Sequence, residues 1–265
     1  MQVIRIMKFF TFVVVAALTS MQAQALFTVV PRVGSTVVKP LITHPQALPD
    51  DEIGRLANLG SKTGGTKEIG RVLGNKKLPE AVIEDTYLRI AVHQSKILRP
   101  EAEGMMTRLR GTPGFRSTLS KTVGASDIKT SGHLNELRIA DKAAENGFMV
   151  RGIGTPFKDS NKSATTDIDL LLQRNGKTFA IEAKDYRPDT MIPLDKFRAD
   201  MVTLNEYAKA NRSSRVIQIF SMTNRPSNDL SRRLLSKEAA RRGVELLYGS
   251  PEEVVIQVRQ LEKLL

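Results

Sequence analysis

The sequence predicts an α/β protein: a mixed sheet with helices on both faces, preceded by a helical N-terminal region. Three observations predict it. In the C-terminal half, apolar runs of strand length alternate with runs at helical spacing. Asn175-Gly176 lies between two apolar runs, the strongest short-range signal for a hairpin. Apolar residues make up 41% of the 265 residues, enough to bury a proper core.

Residues 1–25 read as a secretory signal peptide. Arg5 and Lys8 give a positive start, Phe9 to Met21 is apolar, and Ala23-Gln24-Ala25 fits a small-x-small cleavage site. This predicts export, to a periplasm or beyond. An uncleaved anchor is the alternative, because Phe9 to Pro31 carries no charge; Gln22 and Gln24 speak against it. Residues 26–48 hold several prolines and read as a linker or loosely docked arm. Residues 49–130 read as a helical accessory region and connector. Asp50-Asp51 starts a helix that breaks near Gly60, and Thr66 caps a second that ends at Gly74. Pro79 to Ile97 is the clearest helix, with Val82, Ile83, Tyr87, Ile90, Ala91 and Ile97 at helical spacing. Arg99 to Arg110 is a fourth, and 111–130, rich in Gly, Ser, Thr and Lys, is a connecting segment.

The more regular part is 131–265. Gly132 to Asn146 reads as a helix stopped by Gly147, and Phe148 to Ile153 as a strand. Asp167 to Gln173 and Lys177 to Lys184 are the hairpin strands. Then come helix Leu194 to Ala210, strand Arg215 to Met222, helix Ser227 to Arg242, strand Gly243 to Tyr248 and helix Pro251 to Leu265.

The formal charge of +12 favours a polyanionic partner, nucleic acid or an anionic membrane surface. Loss of residues 1–25 would remove Arg5 and Lys8 and no acid, leaving +10. The chain has no cysteine, which excludes disulfides, thiolate catalysis and cysteine-based zinc sites. His44, His93 and His133 have no ligand-like spacing and read as structural residues. Gly60 to Lys67 is not a phosphate-binding loop, since Thr66 follows Gly65 where lysine is required.

The chemistry lies in the hairpin. A two-residue turn makes Arg174 face Lys177, which sets Asp169 opposite Glu182 and Asp167 opposite Lys184. Alternation assigns Ile168, Leu170 and Leu172 to one face of the first strand, with Phe179, Ile181 and Ala183 on one face of the second. Asp169, Glu182 and Lys184 then project together from the opposite face. Two carboxylates roughly 5 Å apart across a sheet repel, and a divalent cation sharing their oxygens would offset that. Lys184 adds a positive charge beside them. The plainer alternative is a solvated face where Lys184 pairs with Asp167 or Glu182. Glu136 lies beside the apolar stripe of Ile139, Ala140 and Ala143, which directs it toward the sheet.

These residues resemble the PD-(D/E)XK nuclease superfamily, with its restriction-endonuclease-like fold, in the manner of its Holliday-junction-resolvase-like and Mrr-like members. The carriers are Gly132-His-Leu-Asn-Glu136, Gly147-Phe148-Met-Val150, Asp167-Ile-Asp169-Leu-Leu-Leu172 and Ile181-Glu-Ala-Lys184. Ile168 stands where the family name has proline, which makes Asp167 a rival for the first acid; the hairpin register favours Asp169. The resemblance implies hydrolysis of phosphodiester bonds, in DNA more than RNA. It implies Mg²⁺, with Mn²⁺ as a substitute, bound by Asp169, Glu182 and Glu136 and aided by the carbonyl of Ala183. Lys184 would position or activate the attacking water. Lys158, Lys162, Arg187, Lys196 and Arg198 flank these residues in sequence and are candidate contacts to the phosphate backbone. An exported nuclease suits a toxin effector with an immunity protein as partner, or a scavenging or defence enzyme. The competing expectations are a non-catalytic nucleic-acid-binding module and a basic protein that docks on anionic lipid.

Overall fold

The computed structural model describes residues 38–158, 165–212 and 215–264. The expected signal peptide, residues 26–37 of the expected arm, and Lys162 lie outside the described residues. The order of elements is α1 (Asp50–Gly60), α2 (Gly65–Asn75), α3 (Glu80–His93), α4 (Arg99–Leu109), α5 (Phe115–Thr122) and α6 (Asp127–Glu145), then β1 (Met149–Phe157), β2 (Thr166–Arg174) and β3 (Lys177–Lys184). α7 (Leu194–Ala210), β4 (Arg215–Met222), α8 (Asp229–Arg241), β5 (Glu245–Tyr248) and α9 (Pro251–Leu264) complete it. The strands form one mixed sheet in the order β1-β2-β3-β4-β5. β1, β2 and β3 are antiparallel neighbours, and β3, β4 and β5 run parallel. Among the described residues, no helix is long and apolar enough to cross a membrane.

The sheet is covered on both faces, as expected. On one face Leu170, Leu172, Phe179, Ile181 and Ile219 pack into a core shared with α6, α9 and the N-terminal helices. On the other, Leu171, Ala180, Phe220 and Met222 pack against Phe197, Met201 and Leu204 of α7 and Leu235 and Ala239 of α8. The first core is continuous from Ile53 of α1 to Val258 of α9. Charged clasps tie the same layers: Arg108 of α4 grips both oxygens of Asp141 of α6 at 2.8 and 2.7 Å, and Arg138 reaches Glu101 at 2.6 Å.

Several expected boundaries move, each for a physical reason. The connector 111–130 contains α5, a helix too short to show periodicity, whose Phe115 and Leu119 are both buried. α6 starts at Asp127 rather than Gly132. A glycine inside a helix costs about 1 kcal/mol, which the packing of a long helix outweighs. β1 runs past Ile153 to Phe157, through Gly154 and Pro156. It is an edge strand, where proline's missing N–H can be tolerated. The helix expected to reach Ile97 ends at His93, and Ser95 turns the chain at φ 57°.

The arm is not loosely docked where it is described. Arg89 of α3, fully buried, donates to the carbonyls of Val38 and Leu48, both at 2.7 Å. Asp85, also fully buried, accepts the N–H of Leu41 at 2.7 Å and lies 3.5 Å from Arg89. Asp50 accepts the N–H of Val38 at 2.7 Å. Burial pushes the Asp85 carboxyl up, and the Leu41 N–H and the Arg89 charge pull it back. α3 thus uses a buried ion pair to satisfy backbone groups of an irregular segment at Val38, Leu41 and Leu48.

Two predictions follow from this packing. Arg89→Met strands Asp85 and two carbonyls, and is expected to cost about 3 kcal/mol, read as a lower urea midpoint with an unchanged slope. A wild-type midpoint would refute the clasp. A fragment of residues 131–265 loses the start of α6 and the packing of α4 and α5 against it in the shared core. It is expected to unfold without a cooperative transition by circular dichroism, where a sharp transition would show that half to be self-sufficient.

Candidate active site

The hairpin forms in the expected register, with Arg174 facing Lys177, Leu172 facing Phe179 and Leu170 facing Ile181. The β2–β3 ladder ends at that last pair, one step short of Asp169 and Glu182. Both strands continue with their outer neighbours. Ile168 to Thr166 pair with Thr155 to Phe157 of β1, while Glu182, Ala183 and Lys184 pair with Phe220, Ser221 and Met222 of β4. The two central strands therefore part where the acids sit. The carboxylate of Asp169 accepts the N–H of Ala183 at 2.8 Å and stands in for a lost backbone bond.

Strand alternation breaks at this point. Leu170 and Leu172 belong to the first core, but Ile168 belongs to the second, so the expected single face of Ile168, Leu170 and Leu172 is corrected. The register sets Gly154 beside Asp169, and Gly154 takes φ +55°, a conformation that favours glycine. This kink lets Asp169 and Ile168 depart from the regular pleat.

Lys184 is the hub. Its ammonium hydrogen-bonds Glu182 and lies 3.7 Å from Asp169 and 3.8 Å from Asp200 of α7. Glu182 is 6% exposed. Burial pushes the Asp169 carboxyl up to about 7, against the Lys184 charge, and repulsion from Glu136 adds to the rise. Burial holds Glu182 well above the usual carboxylate range, with repulsion from Asp169 and Asp200 adding to it. Burial opposes the charge on Lys184, but Asp169, Glu182 and Asp200 together hold its pKa above that of an ordinary lysine. Glu136 is buried on α6 and close enough to act on Asp169, as its place beside the apolar stripe predicts. His133, one helical turn earlier, meets Glu136 at 3.1 Å. Asp167, the rival acid, is exposed and sits opposite Pro156.

A cleft of about 760 Å³ opens beside this cluster, lined by Gly132, Glu136, Lys184, Tyr186, Arg187 and Asn224 among others; Glu136 and Lys184 reach it, while Asp169, Glu182 and Asp200 do not line it. Asn224 donates to the carbonyl of Tyr186 at 2.8 Å and fixes the chain just after Lys184. Arg187 is exposed on the cleft wall. Lys158, at the end of β1, and Lys196, on α7, are exposed. Arg198 is not presented to the cleft as a lone cation: it pairs with Glu238 of α8 at 3.2 Å and with Asp195 at 3.4 Å.

Hard carboxylate oxygens around a buried, like-charged pair suit a divalent cation such as Mg²⁺ in their chemistry. The arrangement is not itself a ligand cage. Among the described residues, no three His, Asp or Glu side chains are gathered to hold a metal ion. Lys184 instead occupies oxygens that a cation would take. Asp200, His133, Tyr186 and Asn224 were not singled out from the sequence as site residues. Asp200 carries a readable signal, an acid on the buried stripe of Phe197, Met201 and Leu204.

No family model and no curated protein matches this chain.

The Arg198–Glu238 pair generates a pH prediction. Hydrogen bonding to Arg241, with further contributions from Arg242 and Arg198, lowers the Glu238 carboxyl from 4.5 to about 2. A lowered acid contributes stability that is full above 4.5 and is lost as the pH falls toward 2. Glu238→Gln is expected to flatten the difference between thermal unfolding at pH 5 and at pH 2 relative to wild type. Parallel curves for the two proteins would show that the pair does not act on stability.

Proposed function

We propose that this chain is a metal-dependent nuclease that hydrolyses phosphodiester bonds of nucleic acid, with DNA favoured over RNA, and that it belongs to the PD-(D/E)XK superfamily. The observation that carries the reading is the convergence of Asp169, Glu182 and Lys184 where β2 and β3 part, beside a cleft. Two acids and an amine on adjacent strands have a simple cost-free alternative, a solvated strand face. The burial of Glu182, with Asp169 and Lys184 half-buried against it, speaks for a chemical use.

Asp169, Glu182 and Glu136 would hold Mg²⁺, with Mn²⁺ as a substitute. When bound, such an ion supplies Lewis-acid polarisation of a phosphate and a lowered pKa for water. The chain's own residues do the rest. Asp169 is held by the Ala183 N–H, which fixes one oxygen and leaves the other for a ligand. Lys184, kept charged by its neighbours, is placed to hold a water or the charge that develops on a phosphate. Arg187 on the cleft wall offers a contact for the backbone of the polymer, with Lys158 and Lys196 further out. Export, and service as a toxin effector with an immunity protein as partner, extend the same proposal on the strength of residues 1–25 alone.

One observation favours a second reading, a non-catalytic nucleic-acid-binding module: the ammonium of Lys184 already satisfies Glu182 and approaches Asp169. The two readings part in one assay. Purified chain is expected to cut DNA in Mg²⁺ and to stop in EDTA. Lys184→Ala and Asp169→Ala are each expected to lower the rate at least about 100-fold while keeping the wild-type circular dichroism spectrum. Binding without cutting supports the module. Full activity in both variants removes the site.

A further inference from the structure

Asp200 stands out as an acid that the proposed chemistry does not use. It projects from α7 on the buried stripe of Phe197, Met201 and Leu204, where an apolar residue would pack at less cost. Its Oδ2 is shut off from solvent and has no hydrogen-bond partner among the described residues. The same oxygen lies 3.8 Å from Nζ of Lys184. A buried carboxylate oxygen that stops just outside hydrogen-bonding distance of one ammonium has that ammonium as its reason to be there.

Resting on the nuclease reading, we propose that Asp200 is a positioning residue for Lys184: it anchors the ammonium from the α7 side, apart from the carboxylates of Asp169 and Glu182 that would hold a divalent cation. The geometry explains the need. Asp169 and Glu182 come from the sheet and would serve both the cation and Lys184. A lysine left without an anchor would swing away from the carboxylates, because its long stem has several rotatable bonds. Asp200 comes from a separate element, α7, so its approach to Lys184 is set independently of the sheet carboxylates. Asp200 touches neither cation nor phosphate in this arrangement and acts through Lys184.

The test compares wild type, Asp200→Asn and Asp200→Glu on labelled single- and double-stranded DNA and RNA in saturating Mg²⁺. Asp200→Asn is expected to lower kcat about tenfold, as the loss of a supporting partner does, with KM within about twofold of wild type. Asp200→Glu keeps the charge and is expected to hold kcat within about threefold. Both variants are expected to melt no lower than wild type by more than a few degrees, since the acid's role is not structural. An unchanged kcat in Asp200→Asn overturns the proposal, as does a rise in KM alone. Equal losses in the Asn and Glu variants, or a collapsed melting temperature in the Asn variant, overturn it too. A wild type that cuts none of these substrates defeats the nuclease reading itself, which separates that failure from a failure of Asp200.

Discussion

A single half-buried ammonium gathers the acids at the centre of the candidate site. Lys184 faces carboxylates from β2, β3 and α7 at once, and no other cation among the described residues pairs with Asp169, Glu182 or Asp200. Three acids against one amine leave an excess of negative charge if all are ionised. The high pKa values of Asp169 and Glu182 express that excess, with burial as the larger cause. A sheet edge in water would disperse such charge at little cost. Here α6 and α7 cover the two faces, so the charge must be met by a proton or by a second cation.

The fold creates this situation by a local failure of sheet pairing. β2 and β3 cooperate through the apolar end of the hairpin and then separate, each held by a different outer strand. The N-terminal helices take part. The carbonyl of Pro113 accepts the N–H of Ile153 at 3.0 Å, and Gly114 lies so near the Ile153 carbonyl that any Cβ there would collide. That contact pins β1 just before Gly154, the residue beside Asp169. The region 49–130 thus bears on the site through the strand it clamps, besides sharing its core.

Much of this was legible in the residues because local rules decided it. The bounds of β3, α7 and β4 follow directly from periodicity, and the hairpin register follows from Asn175-Gly176. That register pointed to Asp169, Glu182 and Lys184, which do meet although the ladder ends one pair short of them, and the apolar stripe of α6 pointed to Glu136. What was not legible depends on tertiary partners. α5 is too short to show a period and exists because Phe115 and Leu119 find a core. Pro156 is tolerated only because β1 is an edge. Ile168 changes face because the strands part, which no alternation rule contains. The place of Asp200 on the apolar stripe of α7 was readable, but its meeting with Lys184 was not, because the chain between them does not say where that helix will lie over the sheet.

The charge of the whole chain and the charge of the site oppose each other. A charge of +12 favours polyanions at long range, yet Glu136 lines the cleft and Asp169 and Glu182 lie beside it around Lys184. A phosphate approaching Glu136, Asp169 and Glu182 as they stand meets Lys184 alone as a favourable charge. Long-range attraction and local acceptance are therefore separate properties of this chain. The first belongs to surface bases such as Arg187, Lys158 and Lys196. The second requires the sign of that cluster to be inverted, which a divalent cation does and a monovalent amine shared among three carboxylates does not. A basic protein built only to bind nucleic acid gains nothing from acids gathered beside its cleft. Their presence there is the physical reason to read the cleft as a place of chemistry rather than of attachment.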